Sequence, residues 1–176
     1  MSDALIPRAV IIGVRGRMGR SIVENALDEG AFVPVGGVSR EPGSMSELGF
    51  DLEGPIVTSL SDAPECDVVI DFSSPSTTIT VAEAAVAKRC ALVVGTTGLE
   101  SAHLIALEKA SKDIAVVRSP NMSVGVNLLF ELVSQAARVL NEGWDAEVTE
   151  AHHHHKVDAP SGTARRILEI MTAERD

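Results

Sequence analysis

Gly13-Val14-Arg15-Gly16-Arg17-Met18-Gly19 (GVRGRMG, residues 13–19) is the stretch that decides the fold. It closes a β-branched apolar run, Ala9 to Val14, and opens an amphipathic run, Arg17 to Asp28. Glycines at this spacing between a strand and a helix have separate duties: Gly13 makes the tight turn, Gly16 lets a phosphate approach the backbone, and Gly19 lets helix and strand pack. The start of the helix offers unpaired N–H groups to an anion. A purely structural turn needs no arginines, whereas this one carries Arg15 and Arg17. The stretch therefore predicts a dinucleotide-binding turn.

Outward from that turn, short β-branched runs alternate with helical ones. Val33 to Val38, Asp67 to Phe72, Ala91 to Val94 and Ile114 to Arg118 read as strands; Ser76 to Lys88 and Ala102 to Lys112 read as helices. Strands separated by helices of this length cannot pair as hairpins, so right-handed crossovers into a parallel sheet are expected. The fold class is α/β, a Rossmann-like doubly wound parallel sheet. Glu41 to Pro64 is weakly patterned, with one short strand at Ile56 and Val57. Later in the chain Val124 to Leu140 reads as a long helix, Asp145 to Glu150 as a strand, and a last helix starts at Ser161. The expected division is a dinucleotide-binding domain over 1–122 and the beginning of an incomplete α+β substrate domain over 123–176.

Composition narrows the partners. The chain has 176 residues, 45% of them apolar, and a formal net charge of −10. An acidic chain is a poor match for a nucleic-acid backbone, which is held by clustered Lys and Arg. No apolar run reaches the roughly 20 residues of a membrane span, and no secretory signal pattern opens the chain. A cytoplasmic protein is expected. Cys66 and Cys90 share no CxxC spacing and read as small buried side chains in a reducing compartment.

The end of the second strand selects the cofactor. An acidic residue there would take the ribose 2′-hydroxyl of NADH, but the chain has Ser39 and Arg40, which suit a 2′-phosphate. NADPH is expected to be accepted at least as well as NADH, although the adjacent Glu41 could restore an acidic partner. Two more loops leave strands at the same edge: Asp71-Phe72-Ser73-Ser74-Pro75 and Gly95-Thr96-Thr97-Gly98. Small residues in the second permit close approach, and its threonines offer hydroxyls to a ribose or a nicotinamide amide.

EAHHHHKVDAPSGTA, residues 150–164, holds four adjacent histidines. A metal tract, a tag remnant, a solvated segment and an active-site loop are the candidate readings. Zinc enzymes of the HExxH type need their histidines on one helix face, and neighbouring residues in an extended segment point to opposite sides. No metal is expected. Ser161-Gly162-Thr163 follows Pro160 at a helix start, where free N–H groups favour a carboxylate or phosphate. Lys156 and two of the histidines add positive charge nearby, and clustered cations make a lysine a readier proton donor. Glu150 and Asp158 could orient these cations. The expected ligand is a small di-anion that receives a hydride and a proton.

GVRGRMG, DFSSP at 71, VGTTG at 94, SPNMSVGVN at 119 and EAHHHHKVDAPSGTA together resemble the dihydrodipicolinate reductase family, across essentially the whole chain. The resemblance implies NADPH- or NADH-dependent reduction of a cyclic imine dicarboxylate to tetrahydrodipicolinate, with the hydroxyl lost as water, on the diaminopimelate route to lysine. It implies His152 as catalytic histidine and Lys156 as proton donor. His153 would contact the substrate, and Ser161, Gly162 and Thr163 would bind its carboxylate. Gly13 to Met18, Arg40, Gly95, Thr96 and Thr97, and Ser119, Pro120, Asn121 and Met122 would contact the cofactor; His154 has no role. Family chains are longer, so a shortened chain is expected, with the family's homotetramer in question. A nucleotide-binding module without catalysis is the rival expectation.

Overall fold

The computed structural model describes residues 6–140, 143–152, 154 and 159–175. The chain divides into two compact units, Met1–Arg118 and Ser119–Asp176. The residues 119–122, grouped by sequence with the first domain, fall in the second unit.

In the first unit the strands are β1 (Arg8–Ile12), β2 (Val33–Val38), β3 (Gly43–Ser44), β4 (Pro55–Val57), β5 (Val68–Asp71), β6 (Ala91–Val94) and β7 (Val116–Arg118). They form one sheet in the order β3-β4-β2-β1-β5-β6-β7. Every pairing is parallel except β3 with β4. The chain moves one way from β1 to β2 and β4, then back past β1 to β5, β6 and β7. The reversal lies between β1 and β5, and ligands of such sheets lie outside the strand carboxyl ends at that point.

The helices are α1 (Arg17–Glu29), α2 (Pro75–Lys88) and α3 (Ser101–Ala110). Strand β1 is covered on both faces, which is why its sequence is an unbroken apolar run. Val10 and Ile12 pack with Val81, Ala85 and Leu92 on one side. Ala9 and Ile11 pack with Val23, Met45 and Ile56 on the other. Ile11 is fully buried, and removing such a side chain from water stabilises a fold by about 1.5–3 kcal/mol. Pro75 opens α2 at a position where its missing N–H costs nothing.

The second unit contains α4 (Val124–Val139) and α5 (Gly162–Arg175). Phe130, Ser134 and Ala137 of α4 are buried at helical spacing, as are Ala164 and Ile170 of α5. Glu174 ties the two helices together, accepting from Ser134 Oγ at 2.7 Å and from Arg138 Nε at 2.6 Å. The strand expected at Asp145 to Glu150 does not form. Its apolar alternation is weak, and among the described residues no sister strand stands beside it. Among the described residues no helix is long and apolar enough to cross a membrane.

Candidate functional site

The turn between β1 and α1 is built by its backbone. Gly13 adopts φ +75°, and its N–H donates to Val38 O at 2.9 Å, joining β1 to the end of β2. A Cβ on Gly13 would stand 3.2 Å from Ser73 Cβ, in the loop after β5. Gly16 N–H closes the turn on Gly13 O at 2.8 Å. Gly19 sits so close to this turn that a Cβ there would lie 2.4 Å from Gly13 O. The α1 N-terminus has no side-chain cap and no acidic residue in its first turn, so its leading N–H groups are left to an anion.

The side chains of the turn separate by role. Val14 is fully buried, so only its backbone faces the turn. Arg17 and Met18 are exposed. Arg15 reaches across to the loop after β2, where Nε donates to Glu41 O at 3.3 Å and Nη2 to Pro42 O at 3.2 Å. Its Nη2 also lies 3.7 Å from Glu47 Oε2. Arg15 thus braces the segment that carries Ser39 and Arg40. Ser39 N–H is taken by Val57 O at 2.9 Å, and Arg40 is exposed.

The loops after β5 and β6 meet the glycine turn at the same edge. Thr96 is buried, its Oγ1 accepting from Ser73 N–H at 3.1 Å, while Thr97 is exposed and Gly95 is half-buried. Gly95 N–H donates to Asp71 O at 2.8 Å. The sequence placed Asp71 only as the first residue of the loop after β5, with no role of its own. It is fully buried, and its Oδ1 accepts from Ser73 N at 3.0 Å and from Ser73 Oγ at 2.5 Å. Burial pushes its carboxyl above the ordinary carboxylate range, against the pull of hydrogen bonds from Ser73 and Thr96. The one available signal was an acid ending the apolar run VVID beside two serines.

In the second unit, Ser161 caps α5. It is buried, and its Oγ accepts from Ala164 N–H at 3.1 Å. Glu150 takes both Ser161 donors, the N–H at 2.8 Å and the hydroxyl. His152 Nδ1 lies 3.7 Å from Glu150 Oε2, with the imidazole partly exposed. The segment from Ser119 joins this cluster: Asn121 Nδ2 donates to Thr163 Oγ1 at 3.4 Å. A Cβ on Gly162 would make ordinary contact with Pro120. Ser119 Oγ donates to Asn121 O at 2.6 Å, and Met122 is exposed. His153, Lys156 and Asp158 lie outside the described residues.

A glycine turn at the sheet's reversal point, beside an uncapped helix start, defines the first unit as a Rossmann-type dinucleotide-binding unit. Family models described as "Dihydrodipicolinate reductase, N-terminus" and "Dihydrodipicolinate reductase, C-terminus" match residues 7–122 and 125–176. The chain belongs to the dihydrodipicolinate reductase family. It is 46% identical to the 4-hydroxy-tetrahydrodipicolinate reductase of Myxococcus xanthus, over 94% of this chain and 65% of that one. The enzyme of the same name from Laribacter hongkongensis is 42% identical over 97% and 66%. The chain thus spans about two thirds of the length of these relatives. A dipicolinate-bound dihydrodipicolinate reductase from Paenisporosarcina sp. TG-14 superposes with a TM-score of 0.76 at 25% identity, covering 97% of this chain and 67% of that one. The WlbA dehydrogenase of Thermus thermophilus, in complex with NAD and UDP-GlcNAcA, shares the fold at a TM-score of 0.57 and 14% identity, over 74% and 47%.

Proposed function

We propose that this chain carries the reduction of 4-hydroxy-tetrahydrodipicolinate to tetrahydrodipicolinate, in the cytoplasm, on the diaminopimelate route to lysine. The observation that carries this reading is the carboxylate of Glu150 held at the start of α5 by Ser161 N–H and Oγ. That helix start takes a carboxylate in the structure itself, and a substrate carboxylate held by Ser161, Gly162 and Thr163 would take the place of Glu150 there. The curated relatives' name supplies the substrate.

The glycine turn fits a reduced dinucleotide because Gly16 puts no side chain at the start of a helix that has no side-chain cap. Gly13, Val14, Arg15, Gly16, Arg17 and Met18 would hold that group, with Ser39 and Arg40 at the ribose 2′ position. Gly95, Thr96, Thr97 and Ser119 to Met122 are proposed to contact its other end. When bound, the reduced nicotinamide supplies a hydride. His152 and His153 would hydrogen-bond the dicarboxylate, and Glu150 orients His152 from 3.7 Å. The ammonium of Lys156 gives the proton that balances the hydride, so the substrate hydroxyl leaves as water.

The test is loss of absorbance from NADPH on addition of freshly generated 4-hydroxy-tetrahydrodipicolinate. Turnover that disappears in Lys156→Ala supports the assignment. Protein that binds NADPH but never oxidises it would instead be a nucleotide-binding module.

A further inference from the structure

Buried polar atoms require partners, and a carboxylate oxygen without one costs more than most. Asp71 is fully buried, yet among the described residues its Oδ2 has no hydrogen-bond partner. A residue kept only for stability would not be built this way. An amide or a hydroxyl could accept from Ser73 without burying a charge. The rest of its contacts indicate another purpose.

Asp71 ends β5 at the reversal point of the sheet, and three loops converge on it. Its Oδ1 fixes both the N–H and the hydroxyl of Ser73, the residue whose Cα and Cβ close over the position of a Gly13 Cβ at 3.3 and 3.2 Å. Its carbonyl holds the loop after β6, through Gly95 N–H at 2.8 Å and Thr96 Oγ1 at 3.4 Å. Thr96 Oγ1 shares the Ser73 N–H, which closes the ring. The packing of the Ser73 loop against the glycine turn is therefore set by the Asp71 side chain, and the loop after β6 is held by its carbonyl.

We propose that Asp71 is the positioning residue of the nucleotide site, its side chain locking the Ser73 loop against Gly13 and so holding the glycine turn in the form that takes a dinucleotide pyrophosphate. The inference rests on the nucleotide-binding reading above. Asp71 touches neither hydride nor proton, so its removal acts on binding. Its charge-assisted bonds to Ser73 are stronger than neutral ones, but an amide keeps the Oδ1 acceptor in place.

The experiment titrates the full chain and three variants with NADPH, read by nicotinamide fluorescence, beside their melting temperatures. Asp71→Ala should bind about tenfold more weakly, and Asp71→Asn should stay within about threefold of the parent. Asp71→Asn should also melt at or above the parent, since it removes a buried charge. Ser73→Ala, an exposed position, should weaken binding about threefold at an unchanged melting temperature. In turnover, the KM for NADPH should rise while kcat at saturation holds. Asp71→Ala or Ser73→Ala binding like the parent overturns the proposal, as does an Asn variant that melts below it. Should Asp71→Ala not fold, Ser73→Ala decides. A parent that binds neither NADPH nor NADH removes the nucleotide reading and this inference together; normal parent binding with unaffected variants removes this one alone.

Discussion

Gly19 stands with Gly13 O and Val14 Cα at 2.4 and 2.7 Å from where its Cβ would be, and both are backbone. Neither can step aside as a flexible side chain would. Gly19→Ala should therefore cost about 1–3 kcal/mol, read as a lower urea midpoint at unchanged slope. Cys66 makes a different prediction. Burial, and then its contact with the Cys90 thiol at 3.3 Å, push its pKa up to about 12. The thiolate is the reactive form, so near pH 8 Cys66 should resist iodoacetamide in the folded chain and label promptly once unfolded, as mass spectrometry would record. At this scale the sequence spoke clearly through glycine spacing and poorly through single acids. Asp71 was legible only as the head of a loop, because its importance comes from which loops meet it, and spacing along the chain does not encode that. Thr96 looked like a free hydroxyl for the same reason, until its neighbour Ser73 claimed it.

Helices α4 and α5 are joined through Glu174, whose carboxyl is held at about 2, below its ordinary 4.5, by hydrogen bonds first from Arg138 and then from Ser134. The folded state thus holds this proton less readily than the unfolded one. The contribution is fully present above pH 4.5 and disappears as pH falls through about 2. Glu174→Gln should lower the helix melting temperature near neutrality, and its curve should merge with the parent's as acid is added. Arg138 is largely exposed, so the effect should also shrink with salt. Element by element, the parallel strands and all five helices were legible, because apolar periodicity reports burial directly. The strand at Asp145 to Glu150 was not: a strand exists only with a partner, and propensity cannot supply one. The antiparallel β3 was missed because Gly43 and Ser44 carry no β-branched signal. Strand β1 stops at Ile12 instead of Val14 because Gly13 turns to positive φ.

At the level of the molecule, the glycine turn belongs to the first unit and the capped start of α5 to the second. NADPH at about 100 times its Kd should add ~2.7 kcal/mol to whatever unfolds with the sheet. Calorimetry with and without the nucleotide would read that shift. Family membership was readable from five short motifs, but their meeting places required the fold.

The two margins of the sheet are unequal. On one side β3, two residues long and running against its neighbour, blunts the margin beside β4. On the other, β7 pairs with β6 alone among the described strands, and Val117 on it is 59% exposed. Growth by an added strand is therefore directional: among the described strands a newcomer, from any source, finds a usable template along β7, and the half of the sheet that leads to Ser39 and Arg40 stays undisturbed by it.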